Sequence, residues 1–80
     1  MFSIIWDPEA EKAVGKLDIL TARRILRKVV GLQEGPHSDV IRLKGSPDYR
    51  LRVGDYLVIF SVKGTELRVV KIGHRKNIYD

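Results

Sequence analysis

Apolar and polar residues alternate most regularly between Tyr49 and Phe60. The run reads Tyr49-Arg50-Leu51-Arg52-Val53, then Gly54-Asp55, then Tyr56-Leu57-Val58-Ile59-Phe60. A period of two on both sides of a two-residue loop of turn-forming types predicts a β-hairpin. With Gly54-Asp55 as the turn, Val53 faces Tyr56, Leu51 faces Val58 and Tyr49 faces Phe60, which makes one apolar face. On the other face Arg52 pairs with Leu57 and Arg50 with Ile59. That face carries two guanidinium groups two positions apart, held by paired strands. Planar, permanently charged forks of this kind suit a phosphate. Taken alone they suit the solvation of an outer sheet face equally well.

The flanking segments supply the rest of a small fold. Phe2, Ile4 and Trp6 share one face of a first strand over residues 2–6. Asp7-Pro8-Glu9 follows as a helix start, with Asp as N-cap and Pro in the first turn. Ala10, Ala13, Val14 and Leu17 give the first helix a narrow apolar stripe. A second helix is expected from about Ile19 to Gln33, burying Ala22, Ile25, Leu26, Val29, Val30 and Leu32. Arg23, Arg24, Arg27 and Lys28 fall on its polar side. Glu34-Gly35-Pro36-His37 closes that helix, and His37, with no evident partner, is read as structural. Val40 to Leu43 reads as a short extended segment, and Gly45-Ser46-Pro47-Asp48 as the turn before the hairpin. A last strand is expected over Glu66 to Ile72. With Lys63-Gly64 as its turn, Phe60 opposes Leu67, Val58 opposes Val69 and Ile59 opposes Arg68, so Arg68 joins the row of Arg50.

This order predicts a single α+β domain over residues 1–80: an N-terminal strand, a two-helix hairpin and a three-stranded antiparallel meander. Both helices pack on one face of the small sheet. The first strand belongs at a sheet edge or beside the last strand.

Composition narrows the classes. With 44% hydrophobic and 31% charged residues, the chain is globular in character. No apolar run approaches the ~20 residues of a membrane span, and no signal peptide is apparent at the N-terminus. There are no cysteines, which excludes disulfides, thiolate metal sites and a cysteine nucleophile. These features fit a cytoplasmic protein with no membrane partner. The net charge of +5 is one-sided. Residues 1–40 hold six basic and six acidic side chains, whereas residues 41–80 hold nine basic and four acidic ones. A positive field on the sheet-forming half favours a polyanion or an acidic protein.

The terminal stretch Ile72-Gly73-His74-Arg75-Lys76-Asn77-Ile78-Tyr79 puts His, Arg, Lys and Tyr within six residues. A nuclease working without metal needs these types. A base takes the proton of a ribose 2′-hydroxyl, cations hold charge on the phosphorus oxygens, and an acid protonates the leaving 5′-oxygen. His74 is the group in this stretch whose type titrates near neutrality, and Tyr79 offers a ring for stacking on a base or for packing on the sheet. Two separated histidines and scattered carboxylates give no metal-ligand spacing, and no Gly-rich phosphate loop appears. No cofactor is expected.

Leu43-Lys44-Gly45-Ser46-Pro47-Asp48-Tyr49-Arg50-Leu51-Arg52-Val53-Gly54-Asp55-Tyr56 together with Ile72 to Tyr79 resembles the RelE/ParE toxin superfamily, on its RelE side. The similarity extends over essentially the whole chain. It implies the toxin of a type II toxin–antitoxin pair. RelE-like members cut mRNA in the ribosomal A site by 2′-hydroxyl attack, and a small acidic or amphipathic antitoxin neutralises them. The resemblance places the catalytic basic pair on Arg50 and Arg52, the preceding basic residue on Lys44, the C-terminal arginine on Arg75 and the stacking tyrosine on Tyr79. His74 is the acid by its chemistry and Arg75 by the resemblance, and both stand at this point. Lys44, Arg68, Lys71 and Lys76 are expected to bind RNA. One position departs: the arginine usual after the tyrosine of the second hairpin strand is Leu57 here. Loss of such a donor commonly costs ~10²–10³ in rate. A weakened nuclease, a ParE-like inhibitor of DNA gyrase and an inert antitoxin-binding member are the resulting alternatives.

Overall fold

The computed structural model describes residues 1–35 and 39–78. Strand β1 spans Ser3–Trp6, helix α1 Pro8–Gly15 and helix α2 Ile19–Gly31, followed by a 3₁₀ turn, Leu32–Glu34. Four strands complete the chain: β2 Val40–Arg42, β3 Tyr49–Val53, β4 Tyr56–Lys63 and β5 Glu66–His74. They form one sheet in the order β1-β5-β4-β3-β2. Strand β1 lies at an edge and parallel to β5; the other neighbours are antiparallel. The expected α+β architecture is therefore present, with a fifth strand where a short extended segment was anticipated.

Both helices cover one sheet face. Ala10, Val14, Ile25 and Val29 pack there on Leu51, Val53, Val58, Phe60, Leu67 and Val69. Asp7 sits at the N-cap of α1 but spends its carboxylate on Arg68, Oδ1 to NH1 at 2.8 Å. Asp18 caps α2 directly, accepting from the Thr21 backbone N–H at 3.1 Å, and hydrogen bonding from Thr21, its side chain first and its backbone second, lowers the Asp18 pKa. Lys28 on α2 meets Asp39 at 2.6 Å, tying the helix to the entry of β2.

Two expectations for α2 are corrected. The helix ends at Gly31, two residues early, and its last turn tightens to 3₁₀. Leu26 and Val30 are 42% and 57% exposed, not buried. Each follows a core residue, Ile25 or Val29, and lies 100° further round the helix, beyond the stripe that one sheet face can cover.

The hairpin register is as expected, from Val53↔Tyr56 to Tyr49↔Phe60. The next hairpin differs. Its loop is Gly64-Thr65, with Lys63 opposite Glu66, so Phe60 opposes Val69 instead of Leu67. Gly64 has φ 61° and Gly54 φ 60°, each at the first loop position and followed by a residue with negative φ. That is the type II′ arrangement, which matches the twist of the strands. A β-bulge between Ile59 and Phe60 then shifts the pairing again, placing Lys71 opposite Ile59 and Ile72 opposite Val58. Strand β5 runs on to His74, two residues past the expected end.

Candidate functional site

Alternation along β3 and β4 sends Arg50, Arg52, Leu57 and Ile59 to the face opposite the helices. Strand geometry alone would leave that face open. The residues after β5 change this. The chain turns at His74, whose carbonyl accepts from the backbone N–H of Asn77 at 2.8 Å and of Ile78 at 3.0 Å. The turn lays Ile78 over the sheet. Leu57, Ile59 and Ile78 are 4%, 7% and 3% exposed and form a second small core, with Leu43 and Val70 against it.

Beside this cluster lies a depression of ≈ 340 Å³ lined by Arg50, Arg52, Leu57, Arg75 and Lys76. Among the described residues, four cations and no carboxylate line it. Arg50 is half-buried, and its Nε is fully buried without a hydrogen-bond partner among the described residues. Arg52 Nε donates to the carbonyl of Gly54 at 3.1 Å, which fixes the guanidinium to the hairpin turn. The Arg75 backbone N–H donates to the Asp55 carbonyl at 2.8 Å, and Arg75 Nε lies 3.8 Å from Asp55 Oδ1. Both partners of that ion pair are more than half exposed, so its charge interaction is weak. The depression concentrates positive charge around a space that suits an oxyanion.

The structure thus brings Arg50, Arg52, Arg75 and Lys76 together. It separates the others. His74 pairs with Tyr56 across β4–β5, in the row of Val53 on the helix-covered face. Its ring meets Tyr56 edge-on, centroids 5.4 Å apart, and its Nδ1 accepts from the Lys76 N–H at 3.2 Å. Of the two alternatives for the acid, Arg75 therefore lines the depression, whereas His74 lies on the other sheet face. Neighbours along a strand point to opposite faces, and the turn begins only after His74. Arg68 opposes Ser61, not Ile59, and is held by Asp7 at 2.8 Å and Glu66 at 3.4 Å. The Asp7 hydrogen bond, with the Glu66 charge, raises its pKa further. The shifted register and these two carboxylates take Arg68 out of the row of Arg50. Lys71 Nζ donates to the Ile78 carbonyl at 2.8 Å and so serves the terminal turn. Lys44 sits on the loop before β3, in a separate hollow with Arg42 and Pro47. Tyr79 and His37 lie outside the described residues. Among the described residues, no group of three or more His, Asp or Glu side chains gathers where a metal could be held.

Reading the sequence missed Asp55, Ile59 and Ile78 as parts of the site. The available signal was that Leu57 and Ile59 place two apolar side chains on a face otherwise marked by arginines. Such a pair calls for an apolar cover.

Comparison with known proteins gives a consistent family. The family model described as "ParE toxin of type II toxin-antitoxin system, parDE" matches residues 4–79. A chain of the archaeal RelE–RelB complex from Pyrococcus horikoshii is 29% identical, with a TM-score of 0.82, covering 95% of this chain and 97% of that one. A chain of the RelB–RelE complex from Methanococcus jannaschii is 26% identical, TM-score 0.80, covering 95% of each chain. A chain of the ParDE system from P. aeruginosa shares the fold at 19% identity, TM-score 0.76, over 92% of this chain and 96% of that one. No curated protein matches.

Proposed function

We propose that this chain, which belongs to the ParE toxin family of type II toxin–antitoxin systems, acts as a RelE-type endoribonuclease on mRNA in the ribosomal A site. The observation that carries this reading is the depression where Arg50, Arg52, Arg75 and Lys76 converge with no carboxylate among the described lining residues. In such a cleavage the 2′-oxygen bonds to phosphorus and the bond to the 5′-oxygen breaks. Negative charge grows on the non-bridging oxygens and then on the leaving oxygen. Under this reading Arg50 and Arg52 hold the first, and Arg75 the second. An arginine keeps its proton at neutral pH, so these groups act chiefly as fixed charge. Among the described lining residues no side chain offers a lone pair while protonated, so under this reading the base that takes the 2′-hydroxyl proton is none of these four cations in its charged form. That need fits a nuclease whose site is completed on the ribosome.

The partner under this reading is a cognate antitoxin, as in the RelE–RelB complexes. A small acidic or amphipathic chain across the basic face would neutralise the charge. The second reading is gyrase inhibition. It is favoured by the matching family model and by the apolar Leu57 within the depression. Two assays separate them. Primer extension on mRNA in a purified translation system should reveal cuts that Arg75→Ala abolishes. A supercoiling assay with gyrase should show no inhibition. Cuts that survive Arg75→Ala contradict the assignment, and inhibited supercoiling without any cuts transfers the function to gyrase.

A further inference from the structure

We propose that Leu57 is a positioning residue for Arg75: it seats Ile78, and the seated turn holds the Arg75 guanidinium in the depression. The role in turnover rests on the nuclease reading above; the anchoring does not. Arg75 belongs to no regular element. Its place follows from two attachments on either side. At its own backbone, N–H donates to the Asp55 carbonyl at 2.8 Å. Three residues later, Ile78 is 3% exposed on Leu57 and Ile59, and its carbonyl accepts from Lys71 Nζ at 2.8 Å. The seat is closely fitted. A Cβ on Gly73, the residue opposite Leu57, would meet the Ile78 side chain at 3.4 Å, so the turn lies down in van der Waals reach of this strand position.

The apolar residue at position 57 therefore has a reason of its own. An arginine there would add a fifth cation to the depression, but it would remove the floor on which Ile78 rests. In this chain the terminal turn, rather than β4, delivers cations to the site, and Leu57 is what fixes the turn. The bulge beside Ile59 supports the same arrangement, because it brings Val70 and Lys71 to the edge of the cluster.

Amide hydrogen exchange on the full chain, followed by NMR, tests this without RNA or ribosomes. In Leu57→Ala and in Ile78→Ala the Arg75 amide should exchange at least ~10-fold faster through local opening, while the core amides of Leu51 and Val69 slow or quicken far less. Leu57→Met, which refills the seat, should return the Arg75 amide toward its original protection. Inorganic phosphate, titrated as the probe, should bind more weakly to Leu57→Ala, and adding Arg75→Ala to that variant should weaken it little further. An unchanged Arg75 amide in both single variants overturns the proposal. So does a change that merely tracks the core amides, or phosphate losses that add in full. Should the chain cut no mRNA while Arg75 loosens as described, the nuclease reading falls and the anchoring stands.

Discussion

Arg50 is the residue whose replacement separates stability from function most sharply. Its side chain is half-buried, its Nε is sealed from solvent without a partner among the described residues, and its charge shares a depression with Arg52, Arg75 and Lys76. A buried donor left unsatisfied costs about 1–3 kcal/mol. Relief of like-charge repulsion adds only tenths of a kcal/mol for each screened neighbour. Methionine keeps the length of the side chain and fills irregular space well. Arg50→Met should therefore stabilise the protein by about 1–2 kcal/mol. For a domain of this size that corresponds to a Tm rise of about 5–10 °C. The assay is thermal unfolding by far-UV circular dichroism, with and without inorganic phosphate. Phosphate should raise the Tm of the parent chain, because a ligand of the native state stabilises it by mass action. It should raise that of Arg50→Met much less. A lower Tm for the variant, or an equal phosphate response in both proteins, would refute the reasoning.

Leu57→Arg restores the residue that the family pattern leads one to expect, yet the burial of Leu57 predicts a loss. Forfeiting that burial costs about 1.5–3 kcal/mol, read as a lower urea midpoint, and cleavage should not rise. Increased cleavage at unchanged stability would contradict this. Because the His74 ring lies on the helix-covered side, His74→Gln should leave cleavage essentially unchanged, and a large loss would contradict that placement. The Asp18 carboxyl is held below its ordinary value of 3.8 by Thr21. A folded-state pKa below the unfolded one means stability that is present above that value and lost as pH falls through the folded pKa. Acid unfolding curves of the parent and Asp18→Asn should accordingly converge below about pH 4.

Much of this fold is legible in the sequence because local signals agree. The hairpin around Gly54-Asp55 has alternation, a two-residue turn and β-branched strands, and each leads to the same register. The start of the helical hairpin is equally plain from Asp7-Pro8. The next hairpin is harder. Lys63-Gly64 and Gly64-Thr65 are both plausible turns by composition, and the bulge at Ile59 and Phe60 compensates a shift that no local pattern announces. Leu26 and Val30 look buried by spacing, but burial depends on how wide a stripe the sheet covers, a tertiary property. The candidate site divides the same way. Arg50 and Arg52 are readable because strand alternation fixes their face. His74 looked like chemistry from its neighbours in sequence, whereas one residue along a strand is enough to point it away from them. The cover that Ile78 forms over Leu57 and Ile59 joins residues about twenty positions apart, which alternation alone does not link.

The most direct test of the nuclease reading is primer extension on an mRNA translated in a purified system, with the parent chain and Arg50→Met side by side. The account predicts discrete cuts at the A-site codon with the parent and none with the more stable variant. Equal cutting by both would contradict it, because the phosphate-holding role assigned to Arg50 would then be empty.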